Sequence, residues 1–232
     1  VGNQATSGIS LVVFDMAGTT VEDTGLVQQS FLAADGHAGL SKTDADRAEM
    51  LRYVADTMGQ SKIVVFRHLS RGNEEQAQAA NKEFERCYAQ LVADGKCSPI
   101  PQAEHVITSF RSRGIKVALT TGFARETQQA IIEALGWQDL ADAVLCPAPG
   151  VRGRPYPDMA LAALMQTETE SVQSMVVVGD TSSDVITGMR AGARASVGVL
   201  TGAHNAAQLS AAGATHILDS VADLPGLVAT LG

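Results

Sequence analysis

Aromatic residues are scarce in this chain, only 4% of 232 positions, so whatever core it builds has to be largely aliphatic. Charge is scarce too, at 18%, and what there is leans acidic, with a net of −8. A surface of that sign repels a nucleic-acid duplex or an anionic membrane, so neither is expected as a partner. A small phosphorylated molecule stays compatible, because one pocket can be positive on an acidic protein. Cysteine is nearly absent. Cys87, Cys97 and Cys146 form no CxxC pair and have no metal-ligand spacing with a histidine, which argues for free thiols in a reducing compartment. No apolar run approaches the length of a membrane span. The opening "VGNQATSGIS" has neither a basic start nor an apolar segment, so it reads as a tail and not as a secretory leader. A soluble, cytoplasmic protein is the expectation.

What is present is 45% hydrophobic residues, enough for one large domain or a domain with a sizeable insert. The run "ISLVVF" (9–14) is short, apolar and β-branched, as a central parallel strand should be. Similar runs recur at 115–121, 141–146, 174–180 and 195–202, with a weaker one at 215–220. Helical patterns at 102–113, 124–136, 158–166 and 183–193 separate them. Such alternation predicts an α/β fold with a parallel sheet. One region breaks it. Between residues 22 and 98 the chain carries amphipathic helical stretches with acidic starts and glycine ends, and "KCSPIPQ" (96–102) reads as a return linker. The expected organisation is a doubly wound core of residues 1–21 and 99–232, with a helical cap of residues 22–98 inserted after the first strand.

In an open parallel sheet, ligands bind beyond the carboxyl ends of the strands. Three expected strands end there in polar residues: the first at Asp15, the second at Thr120 and Thr121, and "VVVGD" at Asp180. Ser183 and Asp184 follow Asp180 and open a helix. Asp15 with Asp180, joined by Asp184, makes an oxygen-rich site suited to a hard cation such as Mg²⁺. A lone strand-end acid usually just caps a turn; a set of this kind points to chemistry.

The segments "DMAGTT" (15–20), "LTTG" (119–122), "GRPYP" (153–157) and "GDTSSD" (179–184) follow one another as do the four motifs of the haloacid dehalogenase superfamily, which the chain resembles over essentially its whole length. The resemblance implies an Asp15 nucleophile that takes the phosphoryl group, with Thr121 and Arg154 binding phosphoryl oxygens. It also implies Mg²⁺ held by Asp15, the main-chain oxygen of Ala17 and Asp180, with Asp184 as a further ligand or as a partner behind the ligands. Most phosphatases of this superfamily carry an acid two positions after the nucleophile, to protonate the departing alkoxide. Here that position is Ala17, which has no proton to give.

In having "AGTT" the sequence resembles the phosphonoacetaldehyde hydrolase branch, which cleaves a carbon–phosphorus bond. In that branch a cap lysine forms a Schiff base with the substrate aldehyde. The similar segment "MGQSKI" (58–63) puts that role on Lys62. Of the five lysines only Lys62 stands between a turn glycine, Gly59, and an apolar run, a setting that favours a neutral amine. The same resemblance implies substrate contacts from Met58, Gly59 and Gly122 as well as Thr121 and Arg154, and a homodimer through the cap. "GRPYP" selects Arg154 over the nearby Arg152.

The match has gaps. Phosphonatases typically have His three positions after the lysine, where this chain has Val65, and Tyr where it has Phe123. A cysteine they carry soon after the first motif has no counterpart. His68, one helical turn beyond Val65, is a candidate to substitute, but a lone His on a helix is more often an incidental surface or core residue. A phosphatase acting on an ester with an easy leaving group, and a binding protein that kept the pocket, are the competing expectations.

Overall fold

The computed structural model describes residues 8–232; the tail expected at the start lies for the most part outside the described residues. Six strands form one sheet: β1 (Leu11–Asp15), β2 (Lys116–Thr120), β3 (Ala143–Leu145), β4 (Met175–Gly179), β5 (Ala195–Val199) and β6 (His216–Leu218). All pair in parallel, in the order β3-β2-β1-β4-β5-β6. The chain winds outward from β1 through β2 to β3, then crosses back over to β4 and winds out the other way. The reversal falls between β1 and β4, where Phe14 sits opposite Val178. That is the switch point of a doubly wound sheet, the usual place for a ligand crevice.

Alternate side chains of the strands feed two separate cores, as the pleat requires. Val12 and Phe14 of β1 join Val117, Leu119, Val176 and Val178 on one face. Leu11 and Val13 join Ala118, Met175 and Val177 on the other. The helix α5 (Ala103–Ser112) covers the first face with Val106, Ile107 and Phe110. The second is covered by Ala160, Ala162 and Ala163 of α7 (Asp158–Gln166) and Ala191 of α8 (Ser182–Ala191). Small alanines let α7 lie close on the sheet. Each large aliphatic side chain buried this way contributes about 1.5–3 kcal/mol.

Between β1 and α5 come four helices: α1 (Leu26–Ala38), α2 (Asp44–Asp56), α3 (Lys62–Leu69) and α4 (Glu74–Ala93). Their starts are written locally. Thr43 and Asp46 form a capping box on α2, and Asn73 accepts the N–H of Gln76 on α4. The sequence patterns did not single out α1, which opens on Gly25 with no side-chain cap. They also passed over α9 (Ala206–Ala211) and α10 (Leu224–Thr230), each too short to show a clear period. The chain enters and leaves the four helices along paired connections: Glu22 N–H donates to Ser98 O at 2.9 Å, and Ile100 N–H to Thr20 O at 2.9 Å.

The few aromatics are concentrated rather than scattered. Phe31, Phe66 and Phe84 meet inside the inserted helices, with ring centroids 4.8–5.9 Å apart. Tyr88 carries the cluster on to Phe123 after β2, at 4.4 Å. The inserted helices and one face of the sheet therefore share a single apolar core.

Candidate active site

The site is built at the ends of β1 and β4. Asp15 ends β1 and is buried; Asp180 follows β4 directly and is buried as well. Asp184 stands in the first turn of α8, where its Oδ2 accepts the Thr181 hydroxyl at 2.5 Å and the Thr181 N–H at 3.1 Å. Carboxylate oxygens of these three acids lie within 4.8 Å of one another. Arg154 reaches them from the loop before α7. One guanidinium nitrogen is 2.5 Å from Asp15 Oδ1 and the other is 2.6 Å from Asp184 Oδ1. Arg152 is turned away: it pairs with Asp158 at 2.8 Å and stacks on Tyr156.

Burial and like charge dominate the electrostatics. Burial pushes the Asp15 carboxyl well above its ordinary range; Arg154 opposes this, and Asp184 and Asp180 reinforce it. Asp180 is pushed up to about 6 by burial and then by Asp184, against hydrogen bonds from Ala203 N–H and the Thr19 hydroxyl. Three acids against one guanidinium leave two negative charges in excess when all are ionised, which is the charge of one divalent cation. All the side-chain donors are hard oxygens, so Mg²⁺ fits the set. Asp15 keeps Oδ2 free of Arg154, and each Asp180 oxygen accepts only one neutral hydrogen bond, from Thr19 or Ala203, so both residues keep lone pairs to offer it. Asp184 has one oxygen paired with the Arg154 cation and the other taking two donors from Thr181, which suits it better to neutralising Arg154 than to direct ligation.

A cavity of about 150 Å³ opens above this cluster. Asp15, Ala17, Asp180 and Arg154 line its floor, and Thr121 and Gly122 line its side. The Thr121 hydroxyl accepts the Phe123 N–H at 3.3 Å, leaving its own proton free to donate into the space. Met58, Gly59 and Lys62 line it from the inserted helices. Of the catalytic, substrate-binding and metal-ligating residues that the resemblance implied, Asp184 alone is not among those lining the cavity. The inserted helices are seated closely: the Lys62 N–H donates to Gly122 O at 3.3 Å, and a Cβ on Gly122 would come 2.5 Å from Gln60 O. Gly59 has φ +84°, and a Cβ there would strike the Thr181 hydroxyl.

Lys62 begins α3 and is buried, with 5% of its surface exposed. Three rings surround its amine: Phe123 at 5.2 Å, and Phe31 and Phe84 at 5.8 Å each, measured from Nζ to the ring centroids. Burial lowers its pKa; Glu85, Asp23 and Asp15 oppose the fall, and Arg154 adds to it. Cation–π attraction compensates only part of the lost hydration, so this amine loses its proton more readily than an exposed one.

One candidate substitute fails, and two residues were overlooked. His68 does not stand in for the missing histidine: it stacks on Tyr53 at 3.9 Å and lines a separate cleft on the inserted helices. It lies six residues beyond Lys62, which sets it about a third of a turn round α3 from the lysine. Asp23 was overlooked and lines the cavity, its Oδ1 accepting the Val27 N–H at 3.2 Å. An acid just ahead of a helix start was the available signal. His204 was overlooked too. Its Nδ1 accepts the Ser182 N–H at 2.8 Å, so Nε2 holds the proton and donates to Ala55 O at the end of α2, 3.1 Å away.

An acid-floored cavity at the switch point, roofed by helices inserted after the first strand, is the plan of a capped α/β hydrolase. The chain belongs to the haloacid dehalogenase-like hydrolases, whose profile matches residues 9–192. Among curated proteins it is 32% identical over 211 residues to phosphonoacetaldehyde hydrolase of Bacillus cereus, covering 84% of this chain and 76% of that one. Among solved structures, a phosphonoacetaldehyde hydrolase-like protein from Oleispira antarctica superposes with a TM-score of 0.82 at 25% identity, over 100% of this chain and 95% of that one. A hydrolase from Pseudomonas syringae also reaches 0.82, at 20% identity over 95% and 98% of the two chains, and shares the fold.

Proposed function

We propose that this protein is a Mg²⁺-dependent phosphonatase-like hydrolase that cleaves the C–P bond of phosphonoacetaldehyde or a close aldehyde phosphonate. The observation that carries the proposal is the pairing of Asp15 and a ring-enclosed Lys62 across one small cavity in which Ala17 occupies the usual position of the acid. Residues 22–98 act in it as the cap and the remainder as the core. Cytoplasmic residence and a homodimer through the cap belong to the same proposal.

The residues divide the work as follows. Arg154 and Thr121 bind the phosphonate oxygens and bring phosphorus to Asp15. Neutral Lys62 attacks the aldehyde carbon, water leaves, and a protonated imine forms. Asp15 attacks phosphorus; the C–P electron pair moves into the imine, leaving an enamine on Lys62 and an aspartyl phosphate on Asp15. Because the leaving carbon is stabilised as an enamine, no acid at position 17 is needed. Water then releases phosphate from Asp15, and protonation and hydrolysis of the enamine release acetaldehyde. Bound Mg²⁺ would offset the negative charge of Asp15, Asp180 and the phosphonate. Met58 packs at the aldehyde end, and Gly59 and Gly122 let cap and core close without obstruction.

A phosphatase acting without a Schiff base is the second reading. The apolar Val65 and Phe123 favour it, because they remove the two polar groups that phosphonatases typically carry beside the lysine. Phosphate release from phosphonoacetaldehyde, run beside an unactivated phosphate monoester, separates the two. The proposal expects release from the first, a borohydride-trapped adduct on Lys62, and a loss of roughly a thousand-fold or more in Lys62→Arg, which keeps charge but forms no imine. An unlabelled Lys62 with a robust Lys62→Arg enzyme would establish the phosphatase.

A further inference from the structure

The interface between α4 and α6 (Arg125–Leu135) holds polar atoms that the cavity chemistry does not use. Asn81, Glu85 and Tyr88 fall on one face of α4 at i, i+4 and i+7, while Thr127 and Gln128 belong to α6. Asn81 Oδ1, Tyr88 OH and Gln128 Nε2 are buried without a hydrogen-bond partner, and Glu85 Oε2 and Thr127 Oγ1 have none but each other. Buried polar atoms are nearly always bonded, so a group of them in one interface calls for enclosed water.

Glu85 is the charged member of the group. Its Oε1 accepts the Ala124 N–H at 3.2 Å, next to Phe123. Phe123 and Phe84, the residue before Glu85, are two of the three rings around the Lys62 amine. The carboxylate thus ties together the two backbones whose rings enclose that amine.

We propose that Glu85 is the counter-ion of Lys62 and, through water held between α4 and α6, keeps the nitrogen cationic once the imine has formed. The role is a positioning one, since Glu85 does not itself line the cavity, and it rests on the Schiff-base reading. Condensation of Nζ with an aldehyde expels one water and leaves a C=N bond. Its nitrogen must carry a proton to accept the C–P electron pair. An imine is less basic than its parent amine, and aromatic walls disfavour the cation further. A carboxylate behind the rings opposes both losses.

The charges facing Lys62 rank in the same sense. After burial, Glu85 has the largest influence on the amine and raises its pKa; Asp23 and Asp15 act likewise but less, and Arg154 acts the other way. Glu85 is itself pushed up by burial; the nearby Thr127 hydroxyl, the Ala124 N–H and Lys62 hold it down, while Glu126 adds to the rise. Asp23 is the rival, but its Oδ1 is already engaged by the Val27 N–H.

Glu85→Gln keeps an acceptor for the Ala124 N–H and removes the charge, while Glu85→Asp keeps the charge. With the chain's five lysines ¹³C-methylated, the Lys62 signal (assigned by its loss in Lys62→Arg) can be titrated without substrate. It should titrate at lower pH in Glu85→Gln and return towards wild type in Glu85→Asp. In turnover, the alkaline limb of the kcat profile should move to lower pH, with roughly ten-fold loss on that side and little change in KM. An unmoved Lys62 titration overturns the proposal even if C–P cleavage is confirmed, as does a larger shift in Asp23→Asn. A titration that moves in a protein giving no trappable imine overturns the imine role together with the Schiff-base reading, and leaves an ion pair alone.

Discussion

Arg154 holds Asp15 through one guanidinium nitrogen, 2.5 Å from Oδ1, while the other nitrogen holds Asp184 at 2.6 Å. The side chains of all three residues are almost wholly buried. Arg154 therefore orients the end of β1 and offsets the repulsion between two acids that the fold forces together. Only a planar fork can do both at once, because its nitrogens leave the carbon at fixed angles.

Removing that fork should be costly. Arg154→Met leaves two buried carboxylates without their cation, a change of the type that costs about 3–5 kcal/mol. Urea unfolding in metal-free buffer measures it. Arg154→Lys should recover part of the stability yet little activity, since one ammonium cannot serve both partners. Equal stability of Arg154→Met and wild type would refute this view of the site.

The buried acids also set a pH dependence. The Asp180 carboxyl is raised from its ordinary 3.8 to about 6 by burial and by Asp184, so the folded protein binds this proton more tightly than the unfolded chain. Its contribution to stability is complete below about pH 4 and is lost as the pH rises through about 6. Mg²⁺ competes with the same proton, so stabilisation by Mg²⁺ should grow across that window. Thermal melts with chelator and with Mg²⁺ should nearly coincide at about pH 5 and separate at about pH 7.5. Asp180→Asn should remove the separation.

The close seating of the inserted helices over the cavity depends on Gly59. Its φ of +84° disfavours any other residue, and a Cβ would meet the Thr181 hydroxyl. Gly59→Ala should cost about 1 kcal/mol of stability or somewhat more. Its effect on kcat/KM should be far larger, because Met58 and Lys62 are carried by the same segment. Comparing the unfolding midpoint with kcat/KM tests this; proportionate losses in both would make Gly59 an ordinary turn residue.

Ala17→Asp restores the acid that ester hydrolysis uses. Turnover of a phosphate monoester should rise by roughly ten-fold or more, and cleavage of phosphonoacetaldehyde should fall as the larger side chain crowds the cavity floor. The ratio of the two rates in one preparation is the quantity to measure. An unchanged ratio would show that position 17 does not control the leaving group.

Much of the fold was legible because its signals are local. Short β-branched runs, each followed by a helical period, announce parallel strands, and Thr43, Asn73 and Thr181 mark helix starts by their own side chains. The acids at the ends of β1 and β4 were legible for the same reason: their places in the chain imply their places in the sheet. α1 was missed because Gly25 gives its start no side-chain cap, and α9 and α10 because so few turns show no period.

What only the tertiary structure decided concerns pairs of residues far apart in the chain. "MGQSKI" points to Lys62 as a candidate, but its burial comes from Phe31, Phe84 and Phe123, brought from three different segments. His68 and Asp23 exchange importance for a similar reason: the rotation along α3 sets the first on another face from Lys62, and the entry to α1 brings the second to the cavity. Asp184 was placed beside the cation site by its motif, yet Arg154, thirty residues earlier, takes one of its oxygens. Residue type and order are properties of the chain and can be read along it. Desolvation and Coulomb interaction depend on distances through space, which are set only when the two faces of the sheet and the inserted helices have packed.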